Sequence, residues 1–88
     1  MRYEQIDFHV AGPAGNGCYY VSEMRLKSID QTESGEEGDT TEHETIEAAE
    51  AFAESEAREA VESGRCDAAT VFVDGNEVLC VWEVTHAV

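Results

Sequence analysis

Eighty-eight residues, 42% of them apolar and 8% aromatic, make a single domain spanning 1–88 with a small core, which excludes wholesale disorder. Twenty acidic residues against five basic ones leave a formal net charge of −15, which excludes nucleic acid and anionic lipid as direct partners and favours a basic partner or a very salty solvent. No run reaches the ~18 apolar residues of a membrane span, and Met1-Arg2-Tyr3-Glu4 lacks a signal-peptide core, so the expectation is a cytoplasmic protein.

Residues 2–10 alternate as a strand, with Ile6, Phe8 and Val10 on one face. Gly12 to Gly17 is a turn or open loop, because Pro13 has no N–H to give a ladder and three glycines supply positive φ. Residues 18–28 resume the alternation and divide into two faces. Cys18, Tyr20, Met24 and Leu26 share one; Tyr19, Val21, Glu23, Arg25 and Lys27 share the other. The two segments read as an antiparallel hairpin with one buried face. Tyr19 and Val21, on the second face, read as interface or second-layer residues, and an apolar patch there would suggest dimerisation.

Asp30 to Thr41 has no apolar residue and reads as a flexible acidic loop at about 30–41. Thr41-Glu42-His43-Glu44 matches a capping box, which predicts a helix over about 42–63 with Thr41 as N-cap. Ile46, Ala49, Ala53, Ala57, Ala60 and Val61 form its apolar stripe, and Gly64 stops it. Phe52 lies off the centre of the stripe and reads as widening it or as an interface anchor. Thr70–Val73 is a short strand, Asp74-Gly75-Asn76 a hairpin turn, and Glu77–His86 a last strand with apolar residues on both faces, suggesting a central strand or a second packed surface. The expected fold is α+β: ββαββ, a four-stranded antiparallel sheet with one helix packed on one face.

Charge is concentrated. Thirteen of the twenty acids lie between Asp30 and Glu62, against Arg58 as the one base, while the first 29 residues are neutral. Glu47, Glu50 and Glu54 run along one flank of the apolar stripe, and Glu56 and Glu59 along the other. Helix residues three or four apart stand about 5–6 Å apart. That is comparable with successive phosphates of a nucleic-acid strand, so such a ladder presents a phosphate-like potential to a basic groove. A solvated helix face and salt adaptation account for the same acids in blander terms, although salt-adapted acidity should spread over the neutral first hairpin as well.

Other motifs are weak. Asp30-x-Thr32-x-Ser34-Gly35 imitates the start of a calcium loop, but its twelfth position is Thr41. Gly12-x-x-Gly15-x-Gly17 has no phosphate-loop lysine and opens into a strand. Cys18, Cys66 and Cys80 cannot all pair within one chain, share no metal-ligand spacing with His9, His43 or His86, and read as small apolar strand residues. No nucleophile–base pair or carboxylate dyad is present; no cofactor, metal or catalytic activity is expected.

In size, charge and α+β plan, over the whole chain, the protein resembles small acidic inhibitors from phages and mobile elements: the anti-CRISPR proteins and nucleic-acid mimics. No motif carries a family residue across. The resemblance implies a non-catalytic protein that blocks the nucleic-acid groove of a basic nucleic-acid-binding protein or complex. Glu42, Glu44, Glu47, Glu50 and Glu54 would supply phosphate-like charge, extended by Glu36, Glu37 and Asp39. The alternatives are a salt-adapted domain and a homodimeric interaction module.

Overall fold

The computed structural model describes residues 3–26 and 36–82. The elements are β1 (Tyr3–Ala11), β2 (Tyr19–Leu26), β3 (Glu36–His43), α1 (Ile46–Glu62), β4 (Cys66–Val73) and β5 (Asn76–Trp82). They form one mixed sheet in the order β3-β2-β1-β4-β5, with α1 across one face. All neighbouring pairs are antiparallel except β1 and β4, which run parallel. This overturns the four-stranded antiparallel expectation. The cause is β3. With three strands before the helix the chain leaves the sheet running as β1 does, α1 carries it back, and the next strand enters parallel to β1. A ββαββ chain has one reversal fewer and would enter antiparallel.

The predicted loop at about 30–41 is therefore corrected from residue 36 onward; residues 30–35, and with them the calcium-loop motif, lie outside the described residues. β3 has no buried residue, and Thr40 and Thr41 are its only β-branched side chains, so it is chiefly its pairing with β2 that makes it a strand. The helix start moves too. Thr45, not Thr41, is the N-cap: its backbone is extended and its Oγ1 accepts the Ala48 N–H at 3.1 Å. Glu42 and Glu44 lie ahead of the helix, and Glu47 is the acid left in its first turn.

At the other end Gly64 takes φ 81°. The Gly64 N–H bonds the Val61 carbonyl and the Arg65 N–H bonds the Ala60 carbonyl, the Schellman arrangement. The Asp74-Gly75 turn holds both residues at positive φ, as the hairpin signal requires.

The core lies between α1 and the sheet. Ile6, Phe8 and Val10 of β1, Ala69 and Val71 of β4, and Ala49, Ala53, Ala57 and Ala60 of α1 are all at most 2% exposed. The alanine stripe lets the helix lie close to the sheet, as its periodicity predicts. In β2 the helix-facing set is Val21 and Glu23, opposite Val10 and Phe8. Val21 thus belongs to the core cluster and Tyr19 is half-buried against it, so this face of β2 packs under the helix instead of forming an open apolar patch. β4 is central and longer than predicted, because Cys66-Asp67-Ala68-Ala69 carries little strand propensity. β5 is an edge strand rather than a central one; residues 83–88 lie outside the described set.

Candidate functional site

β3 is the edge strand where the acids meet the sheet. Glu36, Glu37, Asp39 and Glu42 all lie on it and all are exposed. Hydrogen bonds hold its two ends. Tyr3 Oη donates to Glu36 Oε2 at 2.8 Å, and Tyr20 Oη donates to Glu42 Oε1 at 2.8 Å. The bond to Glu42 is the main reason the Tyr20 phenol is held above its ordinary pKa: the neutral phenol is the donor, and the neighbouring carboxylate opposes its ionisation.

Midway along, the register of β2 and β3 shifts between Ser22 and Met24, opposite Thr40 and Glu37. Glu23 sits at this bulge, its side chain 8% exposed. Both its oxygens are taken by arginines: Oε1 by Arg65 Nη2 at 2.5 Å and Oε2 by Arg25 Nη2 at 3.3 Å. Arg65 reaches Glu23 because the Schellman turn ends α1 there, one residue ahead of β4. The Glu23 carboxylate, accepting from Arg25, also raises the pKa of that guanidinium and keeps it charged. Gly38 fits against this group because it lacks a side chain. A Cβ there would stand 2.6 Å from Glu23 Oε2 and 2.9 Å from the Arg25 Nε, which is buried without an acceptor.

The helical acids divide. At roughly 100° per residue, Glu47, Glu50 and Glu54 take the flank of α1 opposite to Phe52 and Glu56. Phe52 and Glu56 face β3: the Phe52 ring lies 4.8 Å from that of His43, tilted by 42°. Together with Phe8, Val21, Glu23, Asp39, Thr41 and Arg65 they line a cleft of about 100 Å³. Glu47, Glu50 and Glu54 border a separate open depression with Ala51, turned away from β3. Glu44 is exposed in the link between β3 and α1.

The predicted interface residues are therefore not one surface. Glu36, Glu37, Asp39 and Glu42 cluster on the sheet edge with Glu44 just beyond them, and the ladder of Glu47, Glu50 and Glu54 stands on the far flank. The near flank instead brings Glu56 to β3. Its carboxyl is pushed above the usual range, first by partial burial and then by Glu59 beside it; Glu23 adds to the rise and Arg65 opposes it. Sequence reasoning missed the Glu23, Arg25 and Arg65 group. Its one signal was an acid alternating with Val21 on the face of β2 that meets the helix.

Of the cysteines, Cys66 is buried in the core, Cys18 is half-buried and Cys80 is exposed, so the small-apolar expectation fails for Cys80. No group of three His, Cys, Asp or Glu arranged to hold a metal ion occurs among the described residues. No helix among them is long and apolar enough to cross a membrane. No family model, curated protein or solved structure matches the chain.

Proposed function

We propose that the protein is a non-catalytic acidic binding protein that occupies the nucleic-acid groove of a basic cytoplasmic partner and so inhibits it. The observation that carries this reading is β3. It is an edge strand with no buried residue and four exposed carboxylates, held by backbone pairing with β2 and by hydrogen bonds from Tyr3 of β1 and Tyr20 of β2. Neither core nor strand propensity asks for those acids, and their mutual repulsion opposes pairing. Charged side chains on an edge strand also keep it from pairing with other chains. Fixed on a strand, they present an ordered negative surface of the kind a phosphate backbone offers a basic groove. Glu47, Glu50 and Glu54 form a second row that a wrapping partner reaches from the other side of the helix.

The test is competition. A basic nucleic-acid-binding protein held by the immobilised chain at about 0.1 M salt should be displaced by oligonucleotide, and by salt as the screening length shortens from ~10 Å toward 3 Å near 1 M. Glu37→Lys with Asp39→Lys should abolish capture, and Glu47→Lys with Glu50→Lys should weaken it. Capture that survives both oligonucleotide and the β3 reversal would refute the reading.

A further inference from the structure

The cleft between β3 and α1 has features that a merely solvated acidic surface lacks. Its floor is Phe8 and Val21, one wall is the half-buried Phe52, and its rim carries Asp39 and Glu56. At about 100 Å³ it is small. Arg65 is one of its lining residues and pairs there with Glu23. The difference among the carboxylates is informative. Glu23 has both oxygens engaged by arginines, whereas neither Asp39 nor Glu56 forms an ion pair with an arginine among the described residues.

We propose that this cleft seats one arginine side chain of a basic partner, its guanidinium against the Phe52 ring and between Asp39 and Glu56. The proposal rests on the inhibitory reading above and names its anchor. A planar cation beside an aromatic ring and two carboxylates combines cation–π attraction with charge-assisted hydrogen bonds, and both strengthen as the cleft loses water. Arginine suits this site better than lysine, whose compact ammonium is more strongly hydrated and cannot stack. The elevated Glu56 pKa agrees, since a carboxyl crowded by burial and by Glu59 gains most from an added cation. The charged groups lining the cleft are Glu23 of β2, Asp39 of β3, Glu56 of α1 and Arg65 beyond it; Arg25 touches Glu23 and Glu59 touches Glu56 from outside the lining.

The experiment is a titration of the full chain with N-acetyl-arginine methylamide, the lysine analogue and an uncharged norvaline analogue, followed by backbone amide and aromatic NMR shifts. The arginine probe should perturb Asp39, Thr41, Phe52, Glu56 and Arg65 in a saturable way, the lysine probe less, and the uncharged probe not at all. For a nona-arginine peptide, Glu56→Gln and Asp39→Asn should each weaken binding by about fivefold, the scale of one lost charge-assisted contact. Glu54→Gln, which removes the same charge from the far flank, should change it by less than about twofold. All three sites are at the surface, and circular dichroism verifies that each variant is folded. Shifts that map to Glu47, Glu50 and Glu54, or losses equal to that of Glu54→Gln, would overturn the proposal. If a basic protein is captured and displaced by oligonucleotide while Glu56→Gln has no effect, the cleft fails and the inhibitory reading stands. If the arginine probe fills the cleft while no basic protein is captured, the cleft stands and that reading fails.

Discussion

The two edges of the sheet are built on opposite principles. β5 is tied to the molecule by Leu79 and Val81, which pack against the core, and Glu77 is its one charged residue. Val78 is exposed at 47%, and a single exposed valine is ordinary on a protein surface. β3 buries nothing. It is held by backbone pairing, by Tyr3 and Tyr20 at its ends, and by the glycine that fits against Glu23 and its arginines. An edge held by apolar burial is indifferent to salt and pH. One held by polar contacts beneath a crowd of carboxylates is sensitive to both, and its local stability is set by a few named side chains.

The comparison breaks most sharply at Glu23. Glu23→Ala leaves Arg25 and Arg65 without their shared carboxylate where β2, β3 and the end of α1 meet. Losing one partner of a fully buried pair costs several kcal/mol; because both arginines are partly exposed, the expected cost here is about 2 kcal/mol. Urea unfolding measures it. Hydrogen exchange should show where it falls: β3 amides lose protection well before those of β5. Equal loss at both edges would show that β3 is not the separately held element described here.

Gly38→Ala tests the same region by shape alone. The added methyl meets the Glu23 carboxylate at 2.6 Å, and that carboxylate has little freedom to retreat because arginines hold both its oxygens. An overpacking cost of about 1–2 kcal/mol is expected. The control is Gly15→Ala, at a position where a Cβ has open space around it, and it should leave stability unchanged. If the two variants unfold at the same urea concentration, Gly38 is not a packing requirement.

The contrast between the edges also explains what could be read from the sequence. The β1 alternation of Ile6, Phe8 and Val10, the alanine stripe of α1, the Gly64 stop and the Asp74-Gly75 turn are local apolar or backbone signals, and each stands where its pattern places it. β3 has no such signal. Glu36 to His43 is polar throughout and is a strand because β2 offers it a ladder, which a window of sequence cannot register. That one omission reversed the expected sense of β4 against β1. It also hid the division of the acids, since the glutamates that share a surface depend on which flank of α1 faces β3. The Glu23 group was only partly legible: Glu23 and Arg25 share a face at a spacing of two, but Arg65 joins them through the Schellman turn, which no spacing shows.

The smallest predicted effect concerns the charge that this edge tolerates. Burial and Glu59 raise the Glu56 pKa above its unfolded value, so the folded state binds the proton more tightly than the unfolded chain does. Stability from this group is therefore fully present below the unfolded carboxyl pKa and is lost as pH rises through the elevated folded value. At neutral pH the ionised side chain is a liability, and Glu56→Gln should stabilise the protein. Solvent screens much of the interaction, so the gain should stay below about 0.5 kcal/mol, seen as a melting temperature higher by one to a few degrees. The gain should vanish as pH falls below the carboxyl range, where wild type and variant carry the same charge at this position. Glu54→Gln, on the far flank, removes one charge without touching β3 and serves as the reference. If both variants gain equally, relief of net charge accounts for the effect; a gain confined to Glu56→Gln, fading with acid, places it in the cleft beside β3.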